Sequence, residues 1–304
     1  MTGLATVGRL ALPDRYDLAG TLRGLAMSRW DPTARVSATE AWWATRTPDG
    51  PGTLHLVRDG AALAATGYGP GAGWLVERAG RIAGLHDDVT GFADLARRHP
   101  LVDRLARGRP GWRFVHTGRV FQRLLPAILE QKVTGQEAHR AYHKVLRHFG
   151  EPAPGPRPDL LLPPDPAAVA ATPYWVLHPF GVEQRRAETV RRAAAAAGAL
   201  ERTADSAAAT RRLTALPGIG AWTAAEVVRT AFGDADAVSV GDYHIPHTIA
   251  WALAGEPRGT DARMLDLLAP FGGHRGRVCA LIESAGIGAP RFGPRMPIRS
   301  FARF

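Results

Sequence analysis

The chain has one cysteine, Cys279, in 304 residues. A single thiol cannot build a disulfide framework. Nor can it supply the several thiolates that a cysteine-held zinc ion or iron–sulfur cluster needs. Lysine is scarce too: Lys132 and Lys144 are the only two, so the 38 basic residues are almost all arginine. No apolar run reaches 18 residues, and Arg9 interrupts the modest N-terminal apolar stretch. The sequence therefore predicts neither a membrane span nor a signal peptide, and a cytoplasmic address is expected. No internal repeat is visible.

What is present is length and positive charge. A chain of this size can bury a large core and is expected to hold two domains. The 38 basic residues stand against 28 acidic ones, giving +10 and a pI near 10.8. That balance suits a partner covered in phosphates, although an arginine bias across an alanine-rich chain gives the same number.

The pattern along the chain predicts an α+β fold, with a β-rich domain over 1–110 and a helical domain over 111–304. Strands are expected over 38–46 and 53–58, joined by the turn Pro48-Asp-Gly-Pro-Gly52. A further strand is expected over 74–78 and a polar helix over 90–99. The tryptophans of this part read as core, because strand aromatics normally pack. Helices are then expected over 119–132, 136–148, 183–197, 207–213, 221–231 and 264–285. Eight prolines between 152 and 173 forbid a helix there until Asp165-Pro166 offers an N-cap with proline in the first turn.

The most telling segment is Leu216-Pro-Gly-Ile-Gly-Ala-Trp-Thr-Ala224, with Asp242 following in Ser239-Val-Gly-Asp-Tyr-His244. A tight Pro-Gly-x-Gly turn between two helices leaves bare backbone N–H groups at a helix start, where a phosphate can be held. The plainer reading of such a turn is a helix connector. Trp222 likewise has a plain reading as a core tryptophan, and Asp242 one as a helix N-cap. His244 and His247, three residues apart, lack a third metal ligand and read as a helix face. Arg291, Arg295, Arg299 and Arg303 recur every four residues, but Pro294 and Pro297 forbid a regular helix, which leaves a flexible tail or a weak phosphate contact.

Together the Gly-Ile-Gly-Ala-Trp-Thr turn and the Asp resemble the helix-hairpin-helix DNA glycosylases, in the form of the 3-methyladenine branch. The resemblance implies a mostly helical glycosylase domain behind an N-terminal sheet domain without catalytic residues. It implies double-stranded DNA with damaged bases as the partner, base excision repair as the setting, and a nucleoid-associated protein with no obligatory protein partner. Asp242 becomes the catalytic carboxylate, which stabilises positive charge on the sugar and orients water. Trp222 becomes the surface on which an extruded base stacks, with Gln131 and Glu226 at the same pocket. Gly218, Gly220 and Thr223 contact the DNA backbone.

Two departures stand out. Lys132 occupies the place of an apolar wedge and is expected at a phosphate, with Val133 the alternative for the plug; Glu226 stands where relatives can carry an aromatic, and Ile282-Glu-Ser-Ala285 supplies none for the pocket's far wall. No cofactor is expected, except that backbone carbonyls of Thr214, Leu216 and Ile219 would hold a structural Na+ or K+. Glycosylases that also cut the strand use an amine where Trp222 stands, so monofunctional excision is expected. The alternatives are a hairpin module that only binds DNA and an oxidised-purine glycosylase with lyase activity.

Overall fold

A computed structural model describes residues 5–290; the C-terminal arginine series lies outside the described residues. The N-terminal part is a five-stranded antiparallel sheet in the order β1-β5-β4-β3-β2, formed by β1 (Thr6–Ala11), β2 (Ala34–Val36), β3 (Glu40–Thr47), β4 (Gly50–Asp59) and β5 (Ala62–Tyr68). Trp43 pairs with Leu54 and Ala41 with Leu56, so their side chains share one face. That face forms a core with Leu63, Ala65, Leu75 and Ile82. The opposite face carries Trp42, stacked on His55 with ring centroids 3.5 Å apart.

The proline-rich connector covers this second face. Its Leu160 and Leu162 are buried against Trp42, the Leu161 N–H donates to the Pro32 carbonyl, and Arg46 donates to the Pro163 carbonyl. Chain without regular structure thus closes a sheet that would otherwise expose its apolar side.

The strand expected over 74–78 is instead a helix, Ala72–Glu77. Five apolar-rich residues do not settle the period. The edge of β5 that such a strand would need is already taken by β1, so the segment lies on the sheet as a helix with Leu75 buried.

The helical part is built around Val120–Leu129, eight of whose residues are buried. It packs on Gln184–Glu201 and Ala221–Ala231. The helices Phe92–Ala96 and Pro100–Gly108 share a core with Ile245–Ala254, Asp261–Leu268 and Arg275–Ser284. The single helix expected over 264–285 is two. Pro270 and the Gly272-Gly273 pair interrupt it, with Gly273 at φ +83°. No helix of the described residues is long and apolar enough to cross a membrane.

Candidate active site

The hairpin joins Ser206–Thr214 to Ala221–Ala231. Asp205 caps the first helix through the Ala208 N–H at 2.7 Å, and the Ile219 N–H closes the turn on the Leu216 carbonyl at 3.0 Å. The two glycines serve different needs. Gly218 stands at φ +95°, and a Cβ there would lie 2.4 Å from the Thr189 hydroxyl oxygen, so the fold itself demands glycine. Gly220 has φ −105°, and a Cβ there would meet nothing within 4 Å. Its bareness is not required by the chain's own packing; it leaves room for an outside body. Gly220 is also the N-cap of the second helix and offers no side chain to the first N–H groups, at a turn where Gly218, Gly220 and Ala221 are exposed.

Side chains lock the turn from behind. The Gln131 amide donates to the Gly218 carbonyl at 3.0 Å and to the Thr223 hydroxyl at 2.9 Å, and Arg192 donates to the Pro217 carbonyl at 3.3 Å. Two of the expected site residues turn their side chains on the hairpin itself. Thr223 is 2% exposed and its hydroxyl accepts from Gln131, so its side chain braces the hairpin. Gln131 gives its amide nitrogen to the same brace. Its neighbour Lys132 is exposed at φ +55°, the only non-glycine of positive φ among the described residues. This left-handed conformation is costly for a lysine and places it at the tip of the loop against the hairpin.

Asp242 is fixed on both oxygens. Its Oδ1 accepts the His244 and Ile245 N–H groups at 2.6 and 2.8 Å, and its Oδ2 accepts the Trp222 indole N–H at 2.9 Å. The two backbone bonds put the carboxylate at the positive end of Ile245–Ala254. Gly241, at φ +90°, makes the bend before it and donates its N–H to Asp261 at 3.0 Å. Asp242 thus closes the turn into that helix, whose N-cap position is His244, by accepting its first N–H, and is joined to Trp222. Trp222 is half-buried, with its polar edge on the carboxylate. His247 Nδ1 accepts the Gly259 N–H at 3.0 Å, and no metal-ligating cluster of three occurs among the described residues.

Glu226 is not poised to act on a base. It is 8% exposed; one carboxylate oxygen lies 2.7 Å from Arg123, and the other takes Arg229 and the Ser239 hydroxyl, the latter at 2.6 Å. Burial acts to raise its pKa, but the two guanidinium groups and Ser239 prevail and bring it down to about 2. Glu226 lines a cavity of about 200 Å³, reached from the sheet side by Asp31, Thr33 and Trp43 and from the helical side by Arg123 and Arg229. Asp242, Trp222 and Gln131 do not line it. Glu226 is thus the centre of an ion-pair cluster behind the hairpin helix.

Sequence reasoning passed over Glu283, on the last helix. The residue is exposed, yet protein crowded around its carboxyl strips enough water to push it up to about 7, with Arg229 opposing and Glu226 and Asp242 adding repulsion. The signal available was the missing aromatic at this place.

No family model matches the sequence, and no curated protein does. Solved structures do resemble the chain. The 3-methyladenine DNA glycosylase from Archaeoglobus fulgidus superposes with a TM-score of 0.76 at 16% identity, over 92% of this chain and 98% of that one. The Clostridium acetobutylicum 8-oxoguanine glycosylase/lyase, in complex with double-stranded DNA, gives 0.61 at 12% identity over 82% and 96%. The 3-methyladenine DNA glycosylase of Schizosaccharomyces pombe, in complex with abasic DNA, gives 0.51 at 16% identity over 64% and 95%. The sheet, the helical layers and the hairpin with its following Asp thus make up the α+β fold of the helix-hairpin-helix DNA glycosylases.

Proposed function

We propose that this protein is a monofunctional DNA glycosylase that extrudes damaged bases, alkylated ones of the 3-methyladenine type, and cuts their N-glycosidic bond in base excision repair. The observation that carries this reading is Asp242. Its carboxylate is held by an indole N–H and two backbone N–H groups, in the loop that leads into Ile245–Ala254, after a hairpin whose second helix has no side-chain cap.

Each part has a task. The N–H groups at Gly220 and the residues after it hold a phosphate of the strand, and the smooth surface at Gly220 lets the backbone come close. Lys132 adds a positive charge at the loop tip. Leaving of the base puts positive charge on the sugar, which Asp242 stabilises while its remaining lone pair orients water for attack at C1′. A cationic alkylpurine gains from the face of Trp222 and departs without needing a proton.

The hairpin also suits a monovalent cation. Among the described residues the Thr214 and Ile219 carbonyls accept no hydrogen bond, and the Leu216 carbonyl accepts only the Ile219 N–H. These three would hold a Na+ or K+, which would add positive charge against the bound phosphate. The reading places the protein with the cell's DNA in the cytoplasm.

The test is base release from methylated genomic DNA with identification of the freed base, run beside Asp242→Asn. Release of methylated bases by the wild type and its loss in the variant support the reading. Strand binding without any released base would instead favour a DNA-binding module.

A further inference from the structure

Trp222, Glu226 and Arg229 stand at i, i+4 and i+7 on one face of the helix Ala221–Ala231. The 239–242 loop runs along this face. Ser239 is bonded to Glu226 at its start and Asp242 to Trp222 at its end. The last helix, Arg275–Ser284, comes in from the other side, packed on Ile245–Ala254. It presents Cys279 and, one turn on, Glu283.

The carboxylates of this cluster differ in what they have to do. Glu226 is saturated by two guanidinium groups and a hydroxyl, and Asp242 is held by three N–H groups that leave one lone pair for water. The Glu283 carboxyl has no hydrogen bond and no ion pair among the described residues, and the residue is exposed. The charges acting on it are Arg229 and Glu226 from the hairpin helix and Asp242 from the loop. The helices Pro100–Gly108 and Ile245–Ala254, packed against its own, put no further charge on it. Cys279 on its own helix is pushed up to about 12, chiefly by burial, and stays a neutral thiol. Glu283 is therefore the carboxyl of the cluster whose oxygens carry no hydrogen bond, at an exposed position of its helix. Its affinity for a proton suits exchange at neutral pH.

We propose that Glu283 is the proton donor to the departing base, so that the enzyme also releases neutral bases, which leave poorly unless protonated. The inference rests on the glycosylase reading above. In the step, the Glu283 carboxyl proton passes to a ring nitrogen of the base, and the electrons of the C1′–N bond leave with the base. Water adds to C1′ and gives its proton to Asp242. Solvent then takes that proton and reprotonates Glu283, so the net reaction is hydrolysis of one bond.

The experiment compares two substrates in single-turnover assays between pH 5.5 and 9: a duplex containing hypoxanthine, a neutral base, and methylated DNA, whose 3-methyladenine and 7-methylguanine are cationic in the strand and leave as neutral bases without a donated proton. Wild-type hypoxanthine release should fall about tenfold per pH unit above the titration of Glu283, while release of the cationic bases lacks this limb. Glu283→Gln should slow hypoxanthine release at least about tenfold at pH 6 and abolish the limb, with cationic release and affinity for abasic DNA kept within about threefold. Undiminished hypoxanthine release by Glu283→Gln overturns the proposal, and so does an equal loss on both substrates, which marks a merely structural role. Wild-type release of cationic bases but never of hypoxanthine overturns it while leaving the glycosylase reading intact. If neither kind of base is released, both readings fall.

Discussion

Trp222→Phe separates the two services that one side chain gives. It keeps an aromatic face for the base and removes the N–H that lies 2.9 Å from Asp242 Oδ2. A hydrogen bond to a charged group contributes about 1.5–3 kcal/mol, and 1.36 kcal/mol is tenfold in rate. The chemical step should therefore slow by roughly 10- to 150-fold if the indole holds the carboxylate in its working position. Affinity for abasic DNA should be unchanged, because the hairpin N–H groups are untouched. Single-turnover release of methylated bases measures the loss, and a double-mutant cycle locates it. In an Asp242→Asn background, Trp222→Phe should cost almost nothing further, since the carboxylate it positions is gone. Full multiplication of the two losses would refute the positioning argument, as would a Trp222→Phe enzyme of wild-type rate.

The hairpin and the Asp were legible because each depends on local geometry: glycine where φ is positive, and an acidic side chain three residues before the first residue of a helix. Even there the sequence treated Gly218 and Gly220 alike. Only the contact of a Cβ with Thr189, 29 residues earlier in the chain, shows that one glycine serves the fold and the other the surface. Long-range pairings were out of reach for the same reason. Gln131 meets the hairpin across 87 residues, which turns a supposed rim residue into a brace and brings Lys132, remote in sequence, beside the hairpin. Glu226 lies one turn after Trp222, yet its role is decided by Arg123, 103 residues away. The helix at 72–77 was misread because five residues carry no decisive period, and the sheet edge that settles the matter belongs to the first strand.

Four further outcomes follow. Asp242→Asn should raise the barrier to base release by about 2.7–4 kcal/mol while keeping DNA affinity, measured by single-turnover assay beside a binding titration; near-normal activity would remove Asp242 from the mechanism. Gly220→Val should stay folded and lose affinity for abasic DNA of any sequence, whereas Gly218→Val should lower the melting temperature. Equal thermal loss in both would show that Gly220 also serves packing. Borohydride should trap no covalent adduct with abasic DNA, because the position beside Asp242 holds an indole; an adduct that vanishes in Lys132→Ala would show that the loop lysine reaches C1′ after all. The last concerns acid stability. Glu226 has its pKa lowered from 4.5 to about 2 in the folded chain, so its contribution is fully present above about 4.5 and is lost as the pH falls through 2. The shift corresponds to about 3 kcal/mol. Glu226→Gln leaves Arg123 and Arg229 buried without a counter-charge, which should cost about 3–5 kcal/mol at pH 7 and lower the melting temperature there. The gap to wild type should then narrow as the pH drops from 5 toward 2.5, because acid neutralises Glu226 in the wild type as well. A gap that stays constant over that range would mean that the two guanidinium groups do not hold this carboxylate ionised.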